Sequence, residues 1–154
     1  MIDKDFVLTT MREYGMRRAQ DLQETSEGMT GTELYEKEDY IPDFSAAVAK
    51  KNMLERKAGK TDGFLCRSSA GRIVRLIQNY NSDTYPQEPE ELPALWSICH
   101  TKDPSKAKEW LAPNGTSGMY MSGECCVDGG VVYRCLADNT VHSPTDYPQA
   151  WERV

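Results

Sequence analysis

The sequence lacks what would carry it into a membrane or onto a nucleic acid. None of its 154 residues begins an apolar run of the roughly 18 residues that a membrane-spanning helix needs. Positive charge is in short supply too: 18 Lys and Arg face 24 Asp and Glu, a net charge of -6, with no basic cluster to displace phosphate counterions. The opening MIDKDFVLTTMREYG has charges where a secretory signal would need an apolar core. The sequence therefore predicts a soluble protein, neither classically exported nor inserted in a membrane, with no nucleic-acid partner. Phosphate-binding, zinc-protease and hydrolase-elbow motifs are all missing. Histidine is scarce, and the two present, His100 and His142, fall in loops with no obvious partner. The acidic run Glu88 to Leu92 reads as a solvated loop, since its carboxylates share one segment instead of facing each other across a bound sugar.

The odd count of five cysteines, at 66, 99, 125, 126 and 135, includes no CxxC pair. Without a signal peptide the expectation is reduced thiols packed as small hydrophobes. A zinc site from Cys99, His100 and either Cys125 or Cys126 is conceivable but disfavoured, because adjacent strand residues point to opposite faces. No catalytic residue, metal or cofactor is expected.

What is present changes character along the chain. Helical spacing of Phe6, Val7, Met11, Tyr14 and Leu22 predicts a helix over about residues 3 to 24. A short helix should start near Thr30 or Thr32 and end before Pro42, and a third should run from about Asp43 to Arg56 with Gly59 beyond it. Residues 1–60 thus read as a helical segment that either packs on the C-terminal region or serves for docking or oligomerisation. From Lys60 onward the pattern is strands and turns, giving an α+β protein with two small antiparallel β modules at 61–98 and 118–154. The connector, 99–117, contains DPSKAKEWL, which reads as a short helix capped by Asp103 with Pro104 at its first position. Asn114, Gly115 and Thr116 read as a turn.

The two modules align with each other. GFLCRSSAGRIVRLI from Gly63 matches GECCVDGGVVYRCL from Gly123 when one residue is dropped in the turn. Cys66 then meets Cys126, Gly71 meets Gly130, Arg75 meets Arg134 and Ile77 meets Leu136. Each copy continues through a polar, proline-bearing loop to a tryptophan, Trp96 or Trp151. An internal repeat is the expectation.

GGVVYRCLADNTVHSPTDYPQAW resembles the small chitin-binding modules of carbohydrate-binding families five and twelve, with Gly130, Tyr133, Thr140, Pro144 and Trp151 in matching places. Domains of this look recur in tail proteins of tailed bacteriophages, and the layout of an acidic helical N-terminus before two modules is similar to those proteins. The family stacks sugar on an aromatic pair just after the second strand, where this chain has Leu136, Ala137, Asp138 and Asn139. Contact would then fall to loop tyrosines, Tyr80, Tyr85, Tyr120 and Tyr147, with Trp96 and Trp151 as further candidates that more readily serve as core plugs. Tyr133, alternating with Val131 and Cys135, is expected in the core.

The resemblance implies a non-enzymatic virion accessory protein, made in the host cytoplasm and then carried in the particle. Its partners would be further copies or other virion proteins through residues 1–60, with cell-surface glycan as a ligand. A free carbohydrate-binding module protein and a zinc-dependent enzyme are the alternatives.

Overall fold

The computed structural model describes residues 22–23, 25–45, 64–78, 80, 83–113 and 118–154. They form an α+β fold that is mostly sheet: one three-stranded antiparallel sheet, one four-stranded sheet and little helix. The helix expected over 3 to 24 lies outside the described residues except at its end, as does that over 43 to 56 beyond Ser45, and the turn at 114 to 116 lies outside entirely.

The first described helix, α1 (Gly31–Glu36), starts where its cap dictates. Thr30 Oγ1 accepts from the Glu33 amide at 3.2 Å, and the Glu33 carboxylate accepts from the Thr30 amide at 3.4 Å. This reciprocal box satisfies two amides that the first turn leaves without partners. A single 3-10 turn, Glu38–Tyr40, follows and stops ahead of Pro42.

Strands β1 (Leu65–Arg67), β2 (Ile73–Leu76) and β3 (Trp96–Ile98) make the first sheet in sequential order. Its hairpin turn closes with the Ser68 amide donating to Arg72 O and the Arg72 amide donating to Ser68 Oγ, and with Gly71 at a φ of 83°, a conformation that suits glycine. Alternation along the strands sends side chains to both faces, and both are covered. On one face Cys66, Val74, Leu76 and Trp96 pack with Phe44, Phe64 and Tyr80. On the other, Leu65 and Ile73 pack with Leu22, Leu34, Tyr35 and Ile41. The described part of residues 1–60 therefore buries apolar side chains against the chain's own sheet, the first of the two expectations for this segment. Fully burying one of these large side chains contributes about 1.5–3 kcal/mol.

The second sheet has the order β4 (Lys108–Glu109), β5 (Cys125–Asp128), β6 (Val131–Cys135) and β7 (Trp151–Arg153). Gly129 and Gly130 join β5 to β6 at φ of 61° and 80°, the two-residue turn whose twist matches the strands. Tyr120, Cys126, Cys135, Ala150 and Trp151 form its core, with Tyr133 and Trp110 packed alongside.

Two expectations need correcting here. DPSKAKEWL is not a helix: only Pro104–Lys106 make a 3-10 turn, capped by Asp103, whose Oδ1 accepts from the Ser105 amide at 3.0 Å. The chain then extends as β4 and pairs parallel to β5, so the second sheet is not purely antiparallel. An isolated helix of this length is marginal in water, whereas the strand gains ladder bonds, among them Trp110 N to Val127 O at 2.8 Å.

Candidate functional site

The six aromatic residues singled out by sequence separate into two groups. Tyr85 and Tyr147 are each 48% exposed, while Trp96, Tyr120 and Trp151 are buried, at 0%, 1% and 6%. Tyr80 and Tyr120, expected among the exposed contacts, are instead core residues. Tyr80 packs on the first sheet, and Tyr120 is drawn inward by a two-way backbone bridge to Thr140 and by an edge contact with Trp151.

The tryptophans are tied down at both ends of the polar loops. Trp96 donates its indole N–H to the Tyr80 hydroxyl at 2.9 Å, and Trp151 donates to the His142 carbonyl at 3.0 Å. In each unit the residue that accepts from the tryptophan also sets its ring against the exposed tyrosine. The Tyr80 and Tyr85 centroids are 6.5 Å apart, and those of His142 and Tyr147 are 6.1 Å apart. Each unit thus presents one outward tyrosine backed by a second ring and anchored to the core through a tryptophan. Such a ring offers flat apolar area at low entropic cost, with a hydroxyl for hydrogen bonding.

Carboxylates hold these loops to the hairpin turns. Glu88 accepts from the Ser69 amide at 2.8 Å, and Glu90 accepts from Ser68 Oγ and pairs with Arg72 at 3.3 Å. Both partners of that ion pair are largely buried, so the acidic run is not the solvated loop its composition predicts. On the second sheet, Asp128 accepts from Thr145 through both its amide, at 3.1 Å, and its hydroxyl, at 2.7 Å. Thr140, matched by the family resemblance, turns its hydroxyl to Ala137 O at 2.7 Å. Its part is to hold the loop.

His100 also departs from expectation. His100 stacks on Tyr120, with centroids 3.8 Å apart and planes at 17°, and its Nε2 bonds Gly118 O at 2.7 Å. Burial pushes its imidazole down to about 4. The same desolvation raises the hydroxyls of Tyr35 and Tyr120. Sequence reasoning also missed Tyr35, whose hydroxyl donates to Cys99 O and accepts from the Ile73 amide, each at 3.1 Å. No local signal marks either residue, because their partners lie on distant segments.

All five cysteines carry free thiols, and burial pushes the Cys126 thiol up to about 12 and the Cys66 thiol up as well. Cys125 and Cys126 do face opposite ways, since only Cys126 joins the core cluster. Among the described residues no three His, Cys, Asp or Glu side chains are grouped to hold a metal ion, and no helix is long and apolar enough to cross a membrane.

Comparison with protein-family models, with curated proteins and with solved structures gives no match in any of the three.

Proposed function

We propose that this chain is a non-enzymatic accessory protein of a tailed-bacteriophage virion, tail-associated or decorating. In this reading its two sheets are one carbohydrate-binding-module-like unit used twice, for assembly and for contact with host glycan. The observation that carries the proposal is the paired geometry of the loops: an outward tyrosine, a ring behind it, and that second residue accepting the indole N–H of the closing tryptophan.

Strand register supports a duplicated unit. Leu76 pairs with Trp96 as Cys135 pairs with Trp151, and Arg75 lies between Leu65 and Ser97 as Arg134 lies between Cys125 and Glu152. The same residues meet when 63–77 is aligned with 123–136. The virion assignment rests on the resemblance of residues 118–154 and on the layout of the chain.

Two measurements test the reading. Purified protein should be retained on chitin, cellulose or peptidoglycan, and Tyr85→Ala and Tyr147→Ala should each weaken retention about three- to tenfold, equivalent to roughly 0.5–1.5 kcal/mol per ring. No retention on any of the three would overturn the glycan part. Genes for tail or lysis proteins should flank the one encoding this chain; a neighbourhood without virion genes would overturn the virion part and leave a free carbohydrate-binding module.

A further inference from the structure

Only Cys99 and His100 separate β3 of the first sheet from Thr101, which bridges to Cys125 at the start of β5. The His100 ring lies over Tyr120, a core residue of the second sheet, while its carbonyl lies against Gly31 at the start of α1. It also lines a cavity of about 10 Å³ between the two sheets. The ring thus bears on Tyr120 and Gly118, while the backbone of the same residue follows β3 and abuts α1, so that His100 spans the three elements whose relative placement it could hold.

We propose that His100 is an acid-released latch between the two sheets: neutral, it stacks on Tyr120 and ties Gly118; protonated, it leaves this position and the sheets uncouple.

The groups facing it explain why a charged ring is not accommodated. Arg72, ahead of β2, and Lys108, in β4, line the same cavity and are both cations. Arg72 is committed to Glu90 and, through Nη2, to Glu109 O at 2.8 Å, while Lys108 stands 5.9 Å from the Tyr35 ring centroid. The other titratable groups on the cavity wall are Tyr35 from α1, Tyr120 from the loop before β5, and Cys125 from β5. Burial holds all three in their neutral forms, and among the described residues no carboxylate lines the cavity to receive an imidazolium.

The direction of the pH effect follows from linkage. The ring titrates at about 4 in the folded chain against an ordinary value of 6.5, so between those values the unfolded chain binds more protons. The latch is fully present above 6.5, weakens as pH falls through this window, and is gone below about 4.

The chain has two histidines, so an imidazole NMR titration of the wild-type protein reads His100 directly, with exposed His142 in the same spectrum. His100 should stay unprotonated until pH approaches 4; titration at or above 6.5 would overturn the proposal. Hydrogen exchange between about pH 7 and about pH 4 locates the opening. The amides of Leu111, which bonds Tyr120 Oη, and of Cys125, which bonds Thr101 O, should lose protection first, with those of β1–β2 and β5–β6 retained. His100→Gln keeps an N–H donor for Gly118 O and cannot titrate, so its Leu111 and Cys125 amides should remain protected. Equal acid loss in this variant would assign the effect to other groups, such as Glu124, and overturn the latch. Should the variant not fold, the wild-type titration still decides.

Discussion

Trp96 and Tyr80 are joined by an indole-to-hydroxyl hydrogen bond of 2.9 Å inside the first core, with their rings 6.2 Å apart and nearly perpendicular. The tryptophan is wholly buried, so its N–H has no water to turn to if the hydroxyl is removed. Tyr80→Phe should therefore destabilise the chain by about 1–3 kcal/mol, the cost of an unpaired buried donor. Urea denaturation followed by tryptophan fluorescence measures it; an unchanged midpoint would mean that the bond contributes nothing.

Gly31 admits no side chain. A β-carbon there would lie 1.9 Å from the His100 carbonyl oxygen, a backbone atom with little room to retreat. Gly31→Ala should gain helix propensity yet lose overall, by about 1–3 kcal/mol, because α1 must shift off the junction. A thermal melt of this variant that matches or exceeds wild type would show that the close approach is easily relaxed.

Arg72 and Glu90 form the most deeply buried of the described ion pairs, at 11% side-chain exposure for each. Removing one partner leaves the other charge without compensation. Glu90→Leu should cost about 3–5 kcal/mol, whereas the double change with Arg72→Met should cost clearly less. Equal losses for the single and double variants in a denaturation cycle would mean that the pair is not coupled.

The thiols offer a chemical readout of packing. Burial raises Cys66, Cys99, Cys125 and Cys126 above their ordinary values, so the reactive thiolate is suppressed in the native state. A disulfide-exchange reagent at mildly alkaline pH should react slowly with native protein and with all five cysteines after denaturation. Fast native reaction at Cys66 or Cys126 would contradict the burial described.

Local signals in the sequence foretold local structure well. Thr30, one of the two threonines expected near the start of a short helix, does cap α1, because a cap is decided by residues in contact along the chain. Burial of the tyrosines was not legible in the same way. Tyr80 and Tyr85 sit in similar polar sequence, yet only one meets Trp96, across 16 residues. Likewise the Tyr35 hydroxyl finds Cys99 across 64 residues, and His100 finds Tyr120 from another segment. Contacts of that span depend on the packing of whole elements, which residue spacing does not report. The strand β4 was misread for the same reason: a capped proline turn looks like a helix start until an open sheet edge competes for the residues that follow.

That short parallel strand decides where the polypeptide can be cut. Lys108 and Glu109 cover the flank of β5, and they precede residue 118 in the chain. A fragment beginning at 118 would lose the bonds from Trp110 N to Val127 O and from Cys125 N to Thr101 O, leaving that edge of β5 open, an invitation for copies to zip together. Cloning the C-terminal sheet as a soluble piece therefore calls for a start before Thr101, so that the chain brings its own cover with it.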